Sequence, residues 1–379
     1  MSEFNIPYTK HDMTPEDVQA VVDVLESGVL TGGKRLDGFE KAFADTVDAP
    51  FAVGVSSGST ALHLAVNALG IESNQTVLVP SLTFAATANA VLYSGASVEF
   101  LDVDPKTLVI DPSEVEKRLA SDPEKYAGVI AVDFAGYPTN ASKLAEISSD
   151  HGVWFIEDAS HALGASSVYE REPTTVGDSR YADATVFSFH PAKHITTGEG
   201  GMVTTRSEAL SEKIRLLRSH AMDKSGQPEG EGWRYGISEL GFNFRMSEIN
   251  AALGLSQLQR IDDSIAARQV IADTYRGAFD GSNIQLPEYD PRQTHANHLF
   301  VVRVDQRKRV YNALKGLGIH TQVHYVPLHM QPLYEHHAEG AELPHTEEYY
   351  SQALSIPMFP SLSEPEQEYV IESLLGVTK

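Results

Sequence analysis

The chain is predicted to be an α/β protein built on a mostly parallel sheet, and three observations predict it. Short runs rich in Val, Ile and Phe alternate with helical patterns through the first two thirds of the sequence. Each run closes on turn residues. Beyond residue 279 the alternation gives way to a mixed pattern that reads as a separate, smaller α+β unit.

The runs follow in order. "FAVGV" (51–55) leads into "SSGSTALHLAVNAL", whose apolar residues recur at helical spacing, and "TVLVP" (76–80) leads into "TFAATANAVLYSG". Then come "SVEFLDV" (97–103), "GVIAVDFAG" (128–136), "GVWFIED" (152–158) and "DATVFSF" (183–189). Residues 248–279 read as one long helix. After it "NHLFVVRV" reads as a strand, "RVYNALKGLGI" as a helix, "TQVHYVP" as a strand, and the tail as helical. This divides the chain into a large α/β domain over residues 1–255 and a small C-terminal α+β domain over residues 256–379. The low-complexity patch "DKSGQPEGEG" (223–232) reads as a mobile surface loop.

Composition narrows the function. The 379 residues are 42% hydrophobic and 21% charged, as in ordinary globular proteins. Twenty-nine basic residues against 52 acidic ones give a formal charge of −23, which argues against nucleic acid or an anionic membrane as partner. An anionic substrate would therefore need a positive field built locally. The absence of cysteine excludes disulfides, thiolate nucleophiles and cysteine-bound zinc. No apolar run approaches membrane-spanning length, and the first residues carry no leader-like pattern, so a cytoplasmic enzyme is expected.

Three stretches carry chemistry. In "FAVGVSSGSTALHL" a strand ends at Ser57-Gly58-Ser59-Thr60 and a helix begins, so free N–H groups and hydroxyls converge where the helix dipole favours an anion. Taken alone, this is equally an ordinary N-cap. The strand "VWFIED" delivers Asp158 to the edge where parallel sheets bind ligands, with His161 following. A protonated pyridine nitrogen would partner that acid, although a helix cap is the plainer reading, and His161 alone reads as a core histidine. Lys193 follows a strand end and precedes "TTGEGG". Desolvation would make its amine nucleophilic, whereas an arbitrary lysine in a loop is solvated. No G-x-G-x-x-G or G-x-x-x-x-G-K-[ST] pattern competes. A phosphate cradle, an acid at a strand end some hundred residues on, and a lysine 35 residues later form the layout of pyridoxal phosphate (PLP) on a fold-type-I aminotransferase.

The stretches "SSGSTAL" (56–62), "PSLTFAATANAV" (80–91), "EDASHALGA" (157–165), "FSFHPAKHITTGEGG" (187–201), "GFNFRMSEINAALGLSQL" (241–258) and "QVHYVPLH" (322–329) run in one order across nearly the whole chain. In this the sequence resembles the DegT/DnrJ/EryC/StrS sugar aminotransferases, which are PLP-dependent. The resemblance implies the aspartate-aminotransferase-like fold, with Lys193 as the Schiff-base lysine and Asp158 as partner of the pyridinium nitrogen. It places His161 beside the phenolic oxygen and Phe84 on the ring. Ser57, Gly58, Ser59 and Ser188 would hold the phosphate, joined by Asn243 from a second subunit, so a homodimer with shared active sites is implied.

Within that family "SGVLTGGKR" (27–35), "LRSHAM" (217–222) and "QVHYVP" are most similar to the branch that serves pseudaminic acid biosynthesis, aminating a UDP-linked 4-keto sugar with L-glutamate. There Tyr8, Gly28, Val29, Leu30, Thr31, Ser57, Asn243, Gln322, Val323, His324 and Tyr325 would line the substrate site. Lys34, Arg35 and Arg245 are candidates to face the UDP phosphates, each with solvated surface charge as its alternative. The resemblance gives His194 no role, and the 223–232 loop is longer than usual. Alternatives are a 4-aminotransferase for another nucleotide sugar, a PLP-fold sugar dehydratase, which would carry histidine in place of Lys193, and a non-catalytic sugar-nucleotide-binding regulator. His324, His329, His336 and His337, or His295 and His298, match no zinc spacing, and no metal is expected.

Overall fold

The computed structural model describes residues 4–169, 172–228 and 230–379. Among the described residues nine strands precede residue 206: β1 (Phe51–Val55), β2 (Thr76–Pro80), β3 (Ser97–Leu101), β4 (Tyr126–Val132), β5 (Trp154–Asp158), β6 (Ser166–Tyr169), β7 (Glu172–Thr175), β8 (Ala184–Ser188) and β9 (Gly201–Thr205). Seven of them form one sheet in the order β1-β9-β8-β5-β4-β2-β3. β9 runs antiparallel to both neighbours and the remaining pairs are parallel. The C-terminal ends of β1, β2, β4, β5 and β8 therefore share one edge, joined there by the start of β9.

Alternation along each strand sorts side chains between two cores. Val53, Val77, Val79, Ile130, Ile156, Val186 and Val203 face helices Gly58–Ala68, Ala85–Leu92 and Glu208–Leu217. Their neighbours Leu78, Val129 and Phe155 turn the other way, onto helices Pro112–Ser121 and Ala141–Asp150. Phe187 and Met202 meet helices Lys34–Val47 and Glu248–Leu258. A further core lies between the antiparallel pair Phe300–Arg303 and Ala353–Ile356 and helices Ile261–Phe279, Arg307–Gly316 and Glu364–Val377. Ile6 joins this core and bridges Ile319.

The structure departs from the sequence reading in three respects. Residues 248–279 are two helices, broken at Gln259–Arg260, where Arg260 turns away to hold Asp17 at 2.6 Å and Asp12 at 3.1 Å. "TQVHYVP" is irregular, held by a bridge between Gln322 and Ser355 and by side-chain bonds from His324 and Tyr325. β9, the β6–β7 hairpin and the strand Ala353–Ile356 were not anticipated. The patch 223–232 is largely exposed in its described residues, and a short pairing of Met222–Asp223 with Gly236–Ile237 closes the loop. Among the described residues no helix is long and apolar enough to cross a membrane.

Candidate active site

The shared strand edge opens into a cavity of about 470 Å³. At its floor, Ser57 caps the helix Gly58–Ala68: its Oγ accepts from Thr60 N–H at 3.1 Å while Thr60 Oγ1 accepts from Ser57 N–H at 3.0 Å. The box leaves the N–H groups of Gly58 and Ser59 pointing out of the helix start, since the first turn has no intrahelical acceptor. Ser188, the last residue of β8, sits directly against this turn. A Cβ on Gly58 would lie 2.7 Å from Ser188 Cβ, and one on Gly201 would lie 2.4 Å from Ser57 O. The close approach of three chain segments thus requires glycine at both positions, and it gathers the donors of an oxyanion cradle.

Asp158 ends β5 and is buried at 4% exposure. Thr87 Oγ1 donates to its Oδ2 at 2.9 Å, and Ser160 donates to Oδ1 through Oγ at 2.6 Å and N–H at 3.2 Å. Because the one proton of Thr87 is spent on the carboxylate, Thr83 Oγ1 is the donor in their 2.8 Å contact. The carboxylate is held by hydroxyls and one N–H, with no ion pair among the described residues, and lines the cavity.

Lys193 lies in the loop between β8 and β9, where Phe189 N–H bonds Gly200 O and Thr197 N–H bonds Phe189 O, folding 189–200 onto itself. Its side chain is partly buried, and burial pushes the amine down to about 7 against the opposing pull of Asp158. Near neutral pH such an amine is a usable base and nucleophile.

His161 is buried and accepts the Ala135 N–H on Nδ1 at 3.3 Å, so in the neutral ring Nε2 carries the hydrogen and donates to the Tyr325 hydroxyl at 3.2 Å. Burial, and then the charges of Lys193, His324 and His194, hold its basicity far below the usual range. Burial also raises the Tyr325 phenol, with Asp158 adding to it, so the hydroxyl stays protonated. His324 reaches Ser355 Oγ through Nδ1 at 2.8 Å, and burial followed by Lys193 lowers it to about 4. Phe84, 58% exposed, stands at the mouth with its ring 5.9 Å from that of Tyr325.

The cavity thus brings together Tyr8, Ser57, Gly58, Ser59, Phe84, Asp158, His161, Ser188, Lys193, His324 and Tyr325. Gly28, Val29, Leu30, Thr31, Asn243, Gln322 and Val323 do not line it. Val323 packs on the C-terminal core, and Gln322 spends its backbone on Ser355. Residues 28–31 are exposed, tied by Leu30 O to Glu248 N–H at 3.0 Å, and Asn243 is exposed on the segment that bridges Ser219. Of the phosphate candidates, Lys34 opens helix Lys34–Val47, Arg35 N–H bonds Glu248 at 2.8 Å, and Arg245 pairs with Val55.

Among the residues of the cavity left without a role by the sequence reading are Thr87, Ser160 and His298, the last weighed only as a metal ligand. The D-x-S spacing of Asp158 and Ser160 is a turn signal that could have found the second. Thr87 lies one helical turn beyond Phe84. His298 had no local signal, since it arrives from a segment remote in the chain, its ring 4.4 Å from that of His161 and tilted by 40°. Among the described residues no group of three His, Asp or Glu is placed to hold a metal.

These features fit PLP. The cradle has the donors its phosphate needs, Asp158 offers a buried carboxylate to a ring nitrogen, and the lysine amine shares the same cavity. PLP is the cofactor. Comparison with known proteins agrees with the geometry. The spore coat polysaccharide biosynthesis protein SpsC of Bacillus subtilis is 36% identical, over 99% of this chain and 97% of that protein. The UDP-4-amino-4,6-dideoxy-N-acetyl-beta-L-altrosamine transaminase of Campylobacter jejuni is 34% identical, over 98% and 97%. Helicobacter pylori PseC, an aminotransferase involved in the biosynthesis of pseudoaminic acid, superposes with a TM-score of 0.89 over 99% of both chains at 30% identity. The model of the DegT/DnrJ/EryC1/StrS aminotransferase family matches residues 11–375, and with the lysine, the acid and the cradle at one sheet edge, the chain belongs to that family.

Proposed function

We propose that the chain moves the amino group of L-glutamate to C4 of a UDP-linked 4-keto-6-deoxy-N-acetyl sugar, the reaction of pseudaminic acid biosynthesis. The observation that carries the reading is that Asp158 and Lys193 share the 470 Å³ cavity whose floor is the Ser57–Ser59 cradle. The altrosamine transaminase and PseC likenesses support the choice of sugar.

PLP supplies an electron sink for the carbanion formed at the donor's α-carbon. The chain's residues supply the rest. Ser57, Gly58, Ser59 and Ser188 anchor the phosphate and set the ring's position. Asp158, fixed by Thr87 and Ser160, keeps a proton on the ring nitrogen by its charge. Lys193, with an amine at about 7, takes the α-proton and returns it, and the same group serves both half-reactions. Tyr325 and His161 form a neutral hydrogen-bonded wall, which preserves the charge contrast between lysine and aspartate. Tyr8 and His324 face the sugar.

The second subunit belongs to the same reading. Trp233, Tyr235, Ile237 and Leu240 are 54–80% exposed, and Val29 and Leu30 are about half exposed. An apolar surface of this kind fits an interface with another copy, through which Asn243 and Arg245 would reach the partner's phosphates. A cytoplasmic location accords with nucleotide-sugar chemistry.

The 36% identity to SpsC favours a second reading, another nucleotide sugar for a surface polysaccharide. One experiment separates the two. The holoenzyme is incubated with L-glutamate and a panel of UDP- and dTDP-linked 4-keto sugars, and the amino sugar and 2-oxoglutarate are identified. The UDP-N-acetyl-β-L-arabino ketose should give the largest kcat/KM. Preference for a dTDP-sugar or a 4-keto-pentose would replace the first reading with the second.

A further inference from the structure

Behind the loop that carries Lys193 lies a second cavity, of about 180 Å³, and Lys193 lines both. Its depth is built by Arg268, which is 1% exposed. Nη1 of Arg268 donates to the carbonyls of Asn297 (3.1 Å), His298 (3.4 Å) and Met358 (3.3 Å). Its Nε is buried with no acceptor, and Nη2 donates to none among the described residues. No acid among the described residues pairs with it, and burial lowers the guanidinium to about 10. Carbonyl dipoles offset part of the charge, but a buried cation without a counter-ion is destabilising until one is supplied.

The surroundings favour an anion there. Ser264 also lines the cavity, with its Oγ buried and unpartnered. At the mouth Arg260 is committed to Asp12 and Asp17, whereas Lys10 forms no ion pair among the described residues. Asp263 is the one acid of the lining outside an ion pair, and it is exposed. The space is too small for a nucleotide and ample for a four- or five-atom ion.

We propose that this cavity is a binding site for a small oxyanion, inorganic phosphate or a short carboxylate, held by Arg268, Ser264 and Lys10. The site is separate from the cradle that holds the cofactor's phosphate. An anion in it sets negative charge against the back of the Lys193 loop and favours the protonated amine, opposing the effect of burial.

The test uses the holoenzyme, whose cradle is filled. Its melting midpoint is followed as chloride is replaced at constant ionic strength by inorganic phosphate in one arm and by acetate in another. A rise of a few degrees in either arm is expected, and the arm that gives it names the source. The rise should vanish in Ser264→Trp, which fills the cavity, and in Lys10→Glu, and persist in Arg245→Ala. No rise, a rise that survives Ser264→Trp, or one abolished by Arg245→Ala would overturn the site. Should Ser264→Trp fail to fold, Lys10→Glu decides alone.

Discussion

Thr87 donates a 2.9 Å hydrogen bond to Oδ2 of Asp158 from the first turn of the helix Ala85–Leu92. The acid stands at the end of one strand and its partner in the helix after another, so the contact fixes the carboxylate against two independent elements. Replacing Asp158 by Asn removes the charge. It also sets an amide N–H₂ against hydroxyl donors, because Thr87 and Ser160 already donate to both oxygens.

Asp158→Asn should therefore slow the glutamate half-reaction by roughly a thousandfold or more, followed by stopped-flow absorbance. Thr87→Val removes one donor to the charge and should cost about tenfold, with the protein still folded. An Asn variant as fast as the wild type would make Asp158 a structural cap and no partner of the cofactor.

Tyr325→Phe takes away the acceptor for the buried His161 Nε2–H. With Nδ1 occupied by the Ala135 N–H, the ring has no second arrangement that satisfies both nitrogens. The loss should be about 1–3 kcal/mol in urea unfolding, the range for a buried donor left unmade. His161→Phe combined with Tyr325→Phe should recover part of it, since both polar partners are then gone. A double variant that loses the sum of the single effects would show that the two groups do not interact.

Most of the sheet was legible because its strands are short Val- and Ile-rich runs that end where side-chain chemistry begins. Asp158 and Ser188 end their strands and Ser57 caps the helix two residues after β1, so reading strand ends led close to the site. β9 escaped because "GMVTT" opens on the last of three closely spaced glycines, Gly198, Gly200 and Gly201, and reads as loop. Its burial comes from pairing on both sides, which sequence periodicity does not record. The break at Gln259–Arg260 has no Gly or Pro to mark it, and an ion pair to the distant Asp17 accompanies it. His298 and Arg268 were invisible for a related reason: each acquires its setting from contacts with segments remote in the chain.

Lys193 gives the apoprotein a distinct pH signature. Its folded-state amine lies at about 7, below the value of an unfolded lysine, so between pH 7 and about 10 the unfolded chain binds more protons. Stability attributable to this residue then rises with pH across that window, and the penalty is largest and constant below it. Lys193→Met removes the penalty. The variant should be more stable than the wild-type apoprotein at pH 6.5, and the gap should close towards pH 10 in urea melts. A gap independent of pH would mean that the amine is solvated.

The exposed Asn243 lies outside the cavity of its own chain, on a segment held by backbone bonds from Phe242 to Leu217 and from Phe244 to Arg218. Phe242 and Phe244 stack on each other at 4.8 Å and pack towards His63, so the alternate residues Asn243 and Arg245 are turned away from that core. Arg218 is in turn clamped by Glu40 at 2.5 Å, which makes the segment a rigid platform. If it serves a second copy, each active site needs Lys193 from one chain and Asn243 from the other. Lys193→Ala and Asn243→Ala subunits, each first shown to be impaired alone, should then complement when mixed. One of the two hybrid sites would hold an intact lysine and an intact asparagine, so about half of the wild-type activity per heterodimer is expected. Exchange of subunits is verified by pull-down of one tagged partner. Heterodimers that form and show no activity above the two parents would place Asn243 in the service of its own chain, and the shared-site model would fall.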